Sequence, residues 1–358
     1  MKSYKTSKIK NKKVCYSVPN IKFKFLIIII YIFSIIDFRI KKPNKVCMCV
    51  VAKKENNYIR EFVEHYKKYD IDKIYIFDNN DKNGEKIENA IKDYIESGFV
   101  QLIDYKGIPQ PQLLAYNDCY RRYNKIYDWL IFFDVDEYIY LKDFKSFKLF
   151  LNDKRFEKCN RVQLNIIFHT DNNQLYYKNK TLKERFTERE PIARGKIKGG
   201  SKVIKSVIRG NIKNIKITCP HILYKNTKSC DGFGKRKQVY YGIRTKESDF
   251  EYYYIDHYYC KSTEEFINNK LLKTDAFHKI DNNMDKINFY FKYNKVTKEK
   301  IDMIEKKTKY NLTKYRSKIL QNKFWFILSS KIIQNPIGNI MYSKQKIEVE
   351  FDNSKNLR

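Results

Sequence analysis

Asp134-Val135-Asp136 follows Trp129-Leu130-Ile131-Phe132-Phe133, an unbroken apolar run. In extended chain alternate residues share a side, so the two carboxylates project together while Val135 turns to the core. Paired carboxylates suit a hard divalent cation that keeps open positions for phosphate oxygens. Such a cation neutralises a departing diphosphate, which is Lewis-acid catalysis. An acid after a strand also serves as an ordinary helix cap, so the triplet needs the context of the elements that would position it.

That context is a regular alternation from Lys45 onward. Val46-Cys47-Met48-Cys49-Val50-Val51-Ala52 reads as a buried strand, and Ile59, Phe62, Val63, Tyr66 and Tyr69 recur at helical spacing. Lys73-Ile74-Tyr75-Ile76-Phe77 is a second strand. Ile87, Ala90, Ile91, Tyr94 and Ile95 mark a second helix, with Gly98 as its C-cap. Phe99-Val100-Gln101-Leu102-Ile103 is a third strand, and Leu113, Tyr116 and Tyr120 mark a third helix. The fourth strand runs into Asp134. This is the α/β pattern of a parallel sheet covered on both faces, in which ligands bind beyond the carboxyl ends of the strands. Those ends carry Glu55, Asp78, Asp104 and Asp134, an acidic rim. Each of these acids taken singly is equally an ordinary loop residue. Beyond residue 150 the rhythm weakens. Strands are expected over 161–168 and 202–208, Ser262-Thr263-Glu264-Glu265 is a capping box opening a helix through Leu272, and a further helix covers 298–310.

Four blocks carry a resemblance: VVAKKENNYIREFVEHYKKYDIDKIYIFDNN, QPQLLAYNDCYRRY, DWLIFFDVDEYIYL and HYYCKSTEEF. In this order they resemble the glycosyltransferase family 92 domain and related family 2-like transferases. The resemblance implies a GT-A fold: a Rossmann-like, mostly parallel sheet with helices on both faces and a smaller acceptor-side extension. It also implies a nucleotide-diphosphosugar donor, UDP-linked, a divalent metal (Mn2+ or Mg2+), a glycan or other hydroxyl acceptor, and inversion at the anomeric carbon. The chain then divides into a basic N-terminus, 1–42, a transferase domain, 43–273, and a C-terminal helical extension and tail, 274–358.

Carried over by position, Asp134 and Asp136 are metal ligands, with Asp134 also at the donor. Lys53 and Glu55 lie beside the nucleotide in a block where the family has Asn at the place of Lys54, and Asp78 accepts from uracil or ribose. Gln112 and Asn117 meet the diphosphate or sugar. His257, opening the fourth block, completes the metal site, since imidazole suits Mn2+; His221 is a weaker rival. An inverting transferase needs a carboxylate base for the acceptor hydroxyl. Asp171, Glu184, Glu188 and Glu190 follow the sheet where an acceptor would dock. Arg185 beside Glu184 would depress that carboxylate's pKa, and Pro191 ends the segment of Glu188 and Glu190 in a loop, which favours those two.

The formal charge of +32 invites a polyanion reading, but the lysines are spread through every segment and no nucleic-acid motif occurs, so no nucleic-acid partner is expected. None of the 8 cysteines forms a paired C-x-x-C knuckle, which argues against structural zinc, and their even number permits disulfides without fixing a compartment. The apolar segment 23–36, flanked by lysines and shorter than the roughly 20 residues that span a bilayer, is expected to be a single-pass or interfacial membrane anchor on an otherwise cytoplasmic protein. Competing readings are a metal-dependent phosphodiester or nucleotidyl transfer enzyme, against which no two-metal acidic cluster is found, and a non-catalytic tethered module of the same fold.

Overall fold

A computed structural model describes residues 44–190, 204–219, 228–236, 249–272, 283–308, 310–317 and 319. The apolar segment 23–36, His221 and Pro191 lie outside them. Among the described residues no helix is long and apolar enough to cross a membrane.

The first half alternates as the sequence pattern requires: β1 (Val46–Ala52), α1 (Asn56–Lys68), β2 (Lys73–Asp78), α2 (Ile87–Glu96), β3 (Val100–Asp104), α3 (Pro111–Tyr123) and β4 (Trp129–Ile131). β2, β1 and β4 are continuous apolar runs because both faces of the sheet are covered. Val46, Met48 and Val50 face one core with α1 and α2, while Cys47 and Cys49 face a second core beneath α3. The same two-residue alternation divides Ile74 and Ile76 from Tyr75 and Phe77, and Trp129 and Ile131 from Leu130 and Phe132. The strands of this half pair in parallel in the order β3-β2-β1-β4.

β5 (Glu137–Leu141), β6 (Arg161–Phe168), β7 (Ile204–Arg209), β8 (Ser229–Asp231) and β9 (Tyr253–His257) extend the same sheet, which reads β3-β2-β1-β4-β7-β6-β9-β5 with β8 on β6. The chain direction reverses where β7 pairs antiparallel with β4. The α/β class, the mostly parallel sheet and the helices on both faces agree with the GT-A expectation. Two details differ. The fourth strand leaves the ladder at Ile131 rather than Phe133, so Asp134 and Asp136 sit on a turn closed by Glu137 N donating to Asp134 O at 3.0 Å. Val135 is nonetheless buried in the first core. The capping box at Ser262 is present, but its α-helix, α4 (Thr263–Phe266), gives way to a wide π turn over Ile267–Leu271.

α5 (Asn283–Tyr293) and α6 (Lys298–Thr308) form a third core with the 260–271 segment, through Phe266, Ile267, Leu271, Ile287, Tyr290 and Ile301. This packing fixes a stretch whose polar residues face the sheet. Disulfides Cys49–Cys119 and Cys159–Cys230 tie β1 to α3 and the loop before β6 to β8.

Candidate active site

The turn after β4 lies beyond the carboxyl ends of the parallel strands, between α3 and β9. Gln112 stands in the first turn of α3, where Gln110 in the left-handed region (φ 48) and Pro111 at the first helical position set the helix start. Its Nε2 donates to Asp134 Oδ1 at 2.9 Å, and Tyr116 OH, one turn on, donates to the same oxygen at 3.2 Å. On the opposite side β9 pairs in register with β5 and β6, which sets His257 across from both Glu137 and Phe168. His257 Nε2 is 3.3 Å from Asp136 Oδ1, and Tyr258 N donates to Asp136 O at 2.9 Å. Asp134, Asp136, Gln112 and His257, distant in sequence, are thus neighbours.

Three ammonium groups complete the centre, and sequence reasoning gave none of them a role. Lys205 Nζ on β7 is 2.7 Å from Asp134 Oδ2 and 3.2 Å from Glu137 Oε2. Lys261 and Lys270 Nζ each stand 3.0 Å from Asp136 Oδ2. Lys261 adopts φ 51, a strained region for a side chain larger than glycine. Lysine is so abundant in this chain that type alone gave no signal. Only the antiparallel β4–β7 pairing brings Lys205 to the turn.

The charges explain the protonation states. Burial works to raise the Asp134 pKa, but Lys205 outweighs it and holds the carboxyl below its ordinary value. Burial likewise opposes ionisation of Asp136, yet Lys261, Lys270 and His257 keep it well below the usual carboxylate range. Glu137, fully buried, is pushed up to about 8 by desolvation despite Lys205. Burial lowers the His257 pKa against the pull of Asp136, so its imidazole is neutral near pH 7 and offers a lone pair.

A divalent cation fits this donor set in a limited way. Among the described residues no three His, Cys, Asp or Glu side chains converge as a closed cage. The Asp136–His257 pair with Asp134 nearby is an open set of oxygen and nitrogen donors, and His257 Nδ1 and Glu137 Oε1, both buried, face each other at 3.6 Å, beyond hydrogen-bond distance. Mg2+ and Mn2+ bind readily through one or two carboxylates and take their remaining ligands from phosphate and water.

The remaining predicted residues fall into two groups. Near the strand ends, Asp78 is buried and accepts from Asn80 N at 3.0 Å and Asn80 Nδ2 at 2.8 Å, with Lys106 Nζ at 3.4 Å. Glu55 is the N-cap residue of α1, and Lys53 pairs with Asp81 at 3.0 Å. Asn117 is engaged elsewhere: its amide bridges Leu113 O and Ile217 O and accepts from Ile217 N, joining α3 to the 204–219 stretch. Of the acids after β6, Glu184 is exposed and reciprocates a capping box with Thr181. Glu188 is exposed and accepts from Thr170 Oγ1 at 3.2 Å. Asp171 is buried, bound by Tyr290 OH and Lys300 Nζ at 2.5 Å each. Glu190 is buried beside Phe168, whose N–H donates to Oε1 at 3.2 Å, one strand from His257. Burial raises its pKa to about 7.

The family model of glycosyltransferase family 92 matches residues 42–318. This chain belongs to glycosyltransferase family 92. A family 92 protein of Ricinus communis is 24% identical over 101 residues, 28% of this chain and 18% of that protein. The galactan beta-1,4-galactosyltransferase GALS2 of Arabidopsis thaliana is 32% identical over 91 residues, 23% of this chain and 17% of its own. The aligned stretches therefore take in less than a fifth of these relatives' lengths. Among solved structures, the mannosyltransferase PcManGT of Pyrobaculum calidifontis, in complex with GDP-Man and Mn2+, gives a TM-score of 0.26 at 14% identity over 39% of this chain and 43% of that one. S. aureus TarS 1-349 in complex with UDP gives 0.27 at 15% identity, over 37% and 38%.

Proposed function

We propose that this family 92 member transfers a sugar from a nucleotide-diphosphosugar donor, UDP-linked, to a hydroxyl of a glycan or glycoconjugate. The observation that carries the reading is the centre beyond β4: Asp134 and Asp136 on one turn, bracketed by Gln112, His257 and three lysine ammonium groups. A diphosphate leaving group develops negative charge, and preorganised cations in a dry site stabilise that charge far better than water does. Asp134, Asp136 and His257 would hold a divalent cation, Mn2+ in preference, which supplies Lewis-acid neutralisation of the departing diphosphate. Asp78, at the end of β2, would accept from the nucleoside, and Gln112 would orient Asp134.

Glu190 is the best-placed general base. Its pKa of about 7 is matched to taking a proton from an acceptor hydroxyl near neutral pH, and it stands one strand from His257. A single carboxylate base of this kind is what direct displacement with inversion requires. Glu184 and Glu188, exposed and engaged in local turns, have weaker claims. Membrane association through 23–36 belongs to the same reading.

The test is a panel of nucleotide-sugars incubated with the purified protein across a Mn2+ titration, reading free nucleoside diphosphate. One or a few donors should be hydrolysed in a metal-dependent way. Full activity in chelator would overturn the metal assignment, and no hydrolysis of any donor would overturn the function.

A further inference from the structure

The three ammonium groups are not equivalent. Lys205 is fully buried and shared between Asp134 and Glu137. Lys261 is 1% exposed and lies over the Tyr58 ring at 4.6 Å. Lys270 is 21% exposed and shares Asp136 Oδ2 with Lys261. Pulling Lys205 onto a ligand would strip two buried carboxylates of their shared cation, at a cost of several kcal/mol, and Lys261, at the same 3.0 Å from Asp136 Oδ2 as Lys270, is sealed from solvent where Lys270 is not. Moving Lys270 leaves Asp136 still paired with Lys261 at 3.0 Å.

Lys270 also has a distinctive place in the chain. The wide turn over Ile267–Leu271, closed by Leu272 N donating to Ile267 O at 2.9 Å, presents consecutive side chains to two places. Asn268 and Asn269 line a cleft of about 480 Å³ whose other wall, Lys54, Asn80, Asp81 and Glu85, comes from the loops after β1 and β2. Lys270 follows them and reaches Asp136. A wide turn of this kind often marks a functional position, because it breaks the helical register that would otherwise scatter these residues. The cleft has the polar lining a nucleoside needs, and the diphosphate of a nucleotide seated there would run toward Asp136.

We propose that Lys270 is a donor-binding residue that leaves Asp136 to grip the diphosphate when the nucleotide fills this cleft, while Asn268 and Asn269 form the second wall of the nucleoside site. The inference rests on the nucleotide-sugar reading above. In the free protein Lys270 partly neutralises Asp136. In the complex the diphosphate would offer it a charge-assisted partner of the same kind, and Asp136, still paired with Lys261, would be freer to hold a cation.

Isothermal titration of UDP, GDP, uridine and guanosine into the wild type, Lys270→Met, Lys270→Arg and Asn269→Ala tests this without turnover. Lys270→Met should weaken nucleoside diphosphate binding about 10–100-fold, in the range of a lost charge-assisted contact. Its effect on the parent nucleoside should be less than about twofold, and Lys270→Arg should recover most of the loss. Asn269→Ala should weaken nucleoside and diphosphate alike. Lys270→Met binding diphosphate as the wild type does, or losing nucleoside and diphosphate equally with its melting curve unchanged, overturns the assignment while the donor reading stands. Wild type that binds none of the four overturns the donor reading and this inference with it.

Discussion

Asp78, at the end of β2, and Asp136, just past β4, are buried carboxylates at the same edge of one sheet, with β1 between their strands, and they are treated in opposite ways. Asp78 is held mainly by neutral donors two residues along the chain, Asn80 N and Nδ2, with Lys106 at its half-exposed edge. Asp136 is held by Lys261, Lys270 and His257, all brought from more than a hundred residues away. The first arrangement is local and suits recognition, in which one carboxylate reads a neutral hydroxyl or base. The second is assembled by the whole sheet and suits the handling of charge that appears and departs.

The contrast is sharpest in Asp136→Asn. Removing the charge should lower sugar transfer by at least about 100-fold, comparable to losing a main electrostatic group. It also leaves two ammonium groups with one fewer anion, so a destabilisation of about 3 kcal/mol is expected in denaturant unfolding. A variant as active and as stable as wild type would remove the distinction between the two acids.

Glu190→Gln tests the acid beside Phe168, one strand from His257. Transfer to the acceptor should fall about 100-fold or more, with donor hydrolysis by water affected less. In the wild type, transfer should rise with pH through about 7, because the base must be ionised and burial holds its pKa there. The sign for stability is the reverse. With the folded pKa raised, the contribution of protonated Glu190 is complete below the ordinary carboxylate pKa and is lost as pH rises through about 7. Glu190→Gln should therefore be more stable than wild type at pH 8 by up to about 3 kcal/mol, and indistinguishable near pH 4. Paired melts at the two pH values check it. A uniform loss at both would mark Glu190 as a packing residue.

Asp78→Ala should give a smaller, different effect: KM for the donor raised about tenfold, roughly 1.4 kcal/mol, at unchanged kcat. A collapse of kcat alone would place Asp78 with the charge-handling group. Glu184→Gln should do least. A glutamine oxygen still accepts from Thr181 N, so the exposed capping box is kept, stability changes by under about 1 kcal/mol and transfer is untouched. Strong loss of activity there would reopen the choice of base.

The same contrast explains what the sequence made legible. β1 through β4 and their helices were readable because buried parallel strands are continuous apolar runs, bounded by Asp78, Gly98 and Pro111, and because a helix on each face imposes its own spacing. Asp134 and Asp136 stood out as candidates from their place after such a run. Lys205 and Lys270 were not, since their role exists only through the β4–β7 pairing and the π turn, neither of which has a local signature. β5 was not read and α5 was read only as part of a helical extension without bounds, because Glu137–Leu141 begins on a buried charged residue and the apolar residues of Asn283–Tyr293 are interleaved with Asn and Lys. The pairing of Cys49 with Cys119 and of Cys159 with Cys230 follows from sheet geometry that spacing does not encode.

The central claim is that the Asp134–Asp136 turn works on a nucleotide-sugar. It is tested most directly by giving wild type and Asp136→Asn the donor that emerges from the nucleotide-sugar panel, with Mn2+ and a glycan array, and detecting the glycosylated product by mass spectrometry. The account predicts a product one sugar heavier with the wild type and at least about 100-fold less with the variant, in proportion to the charge removed from the site. Equal product from both proteins would contradict it.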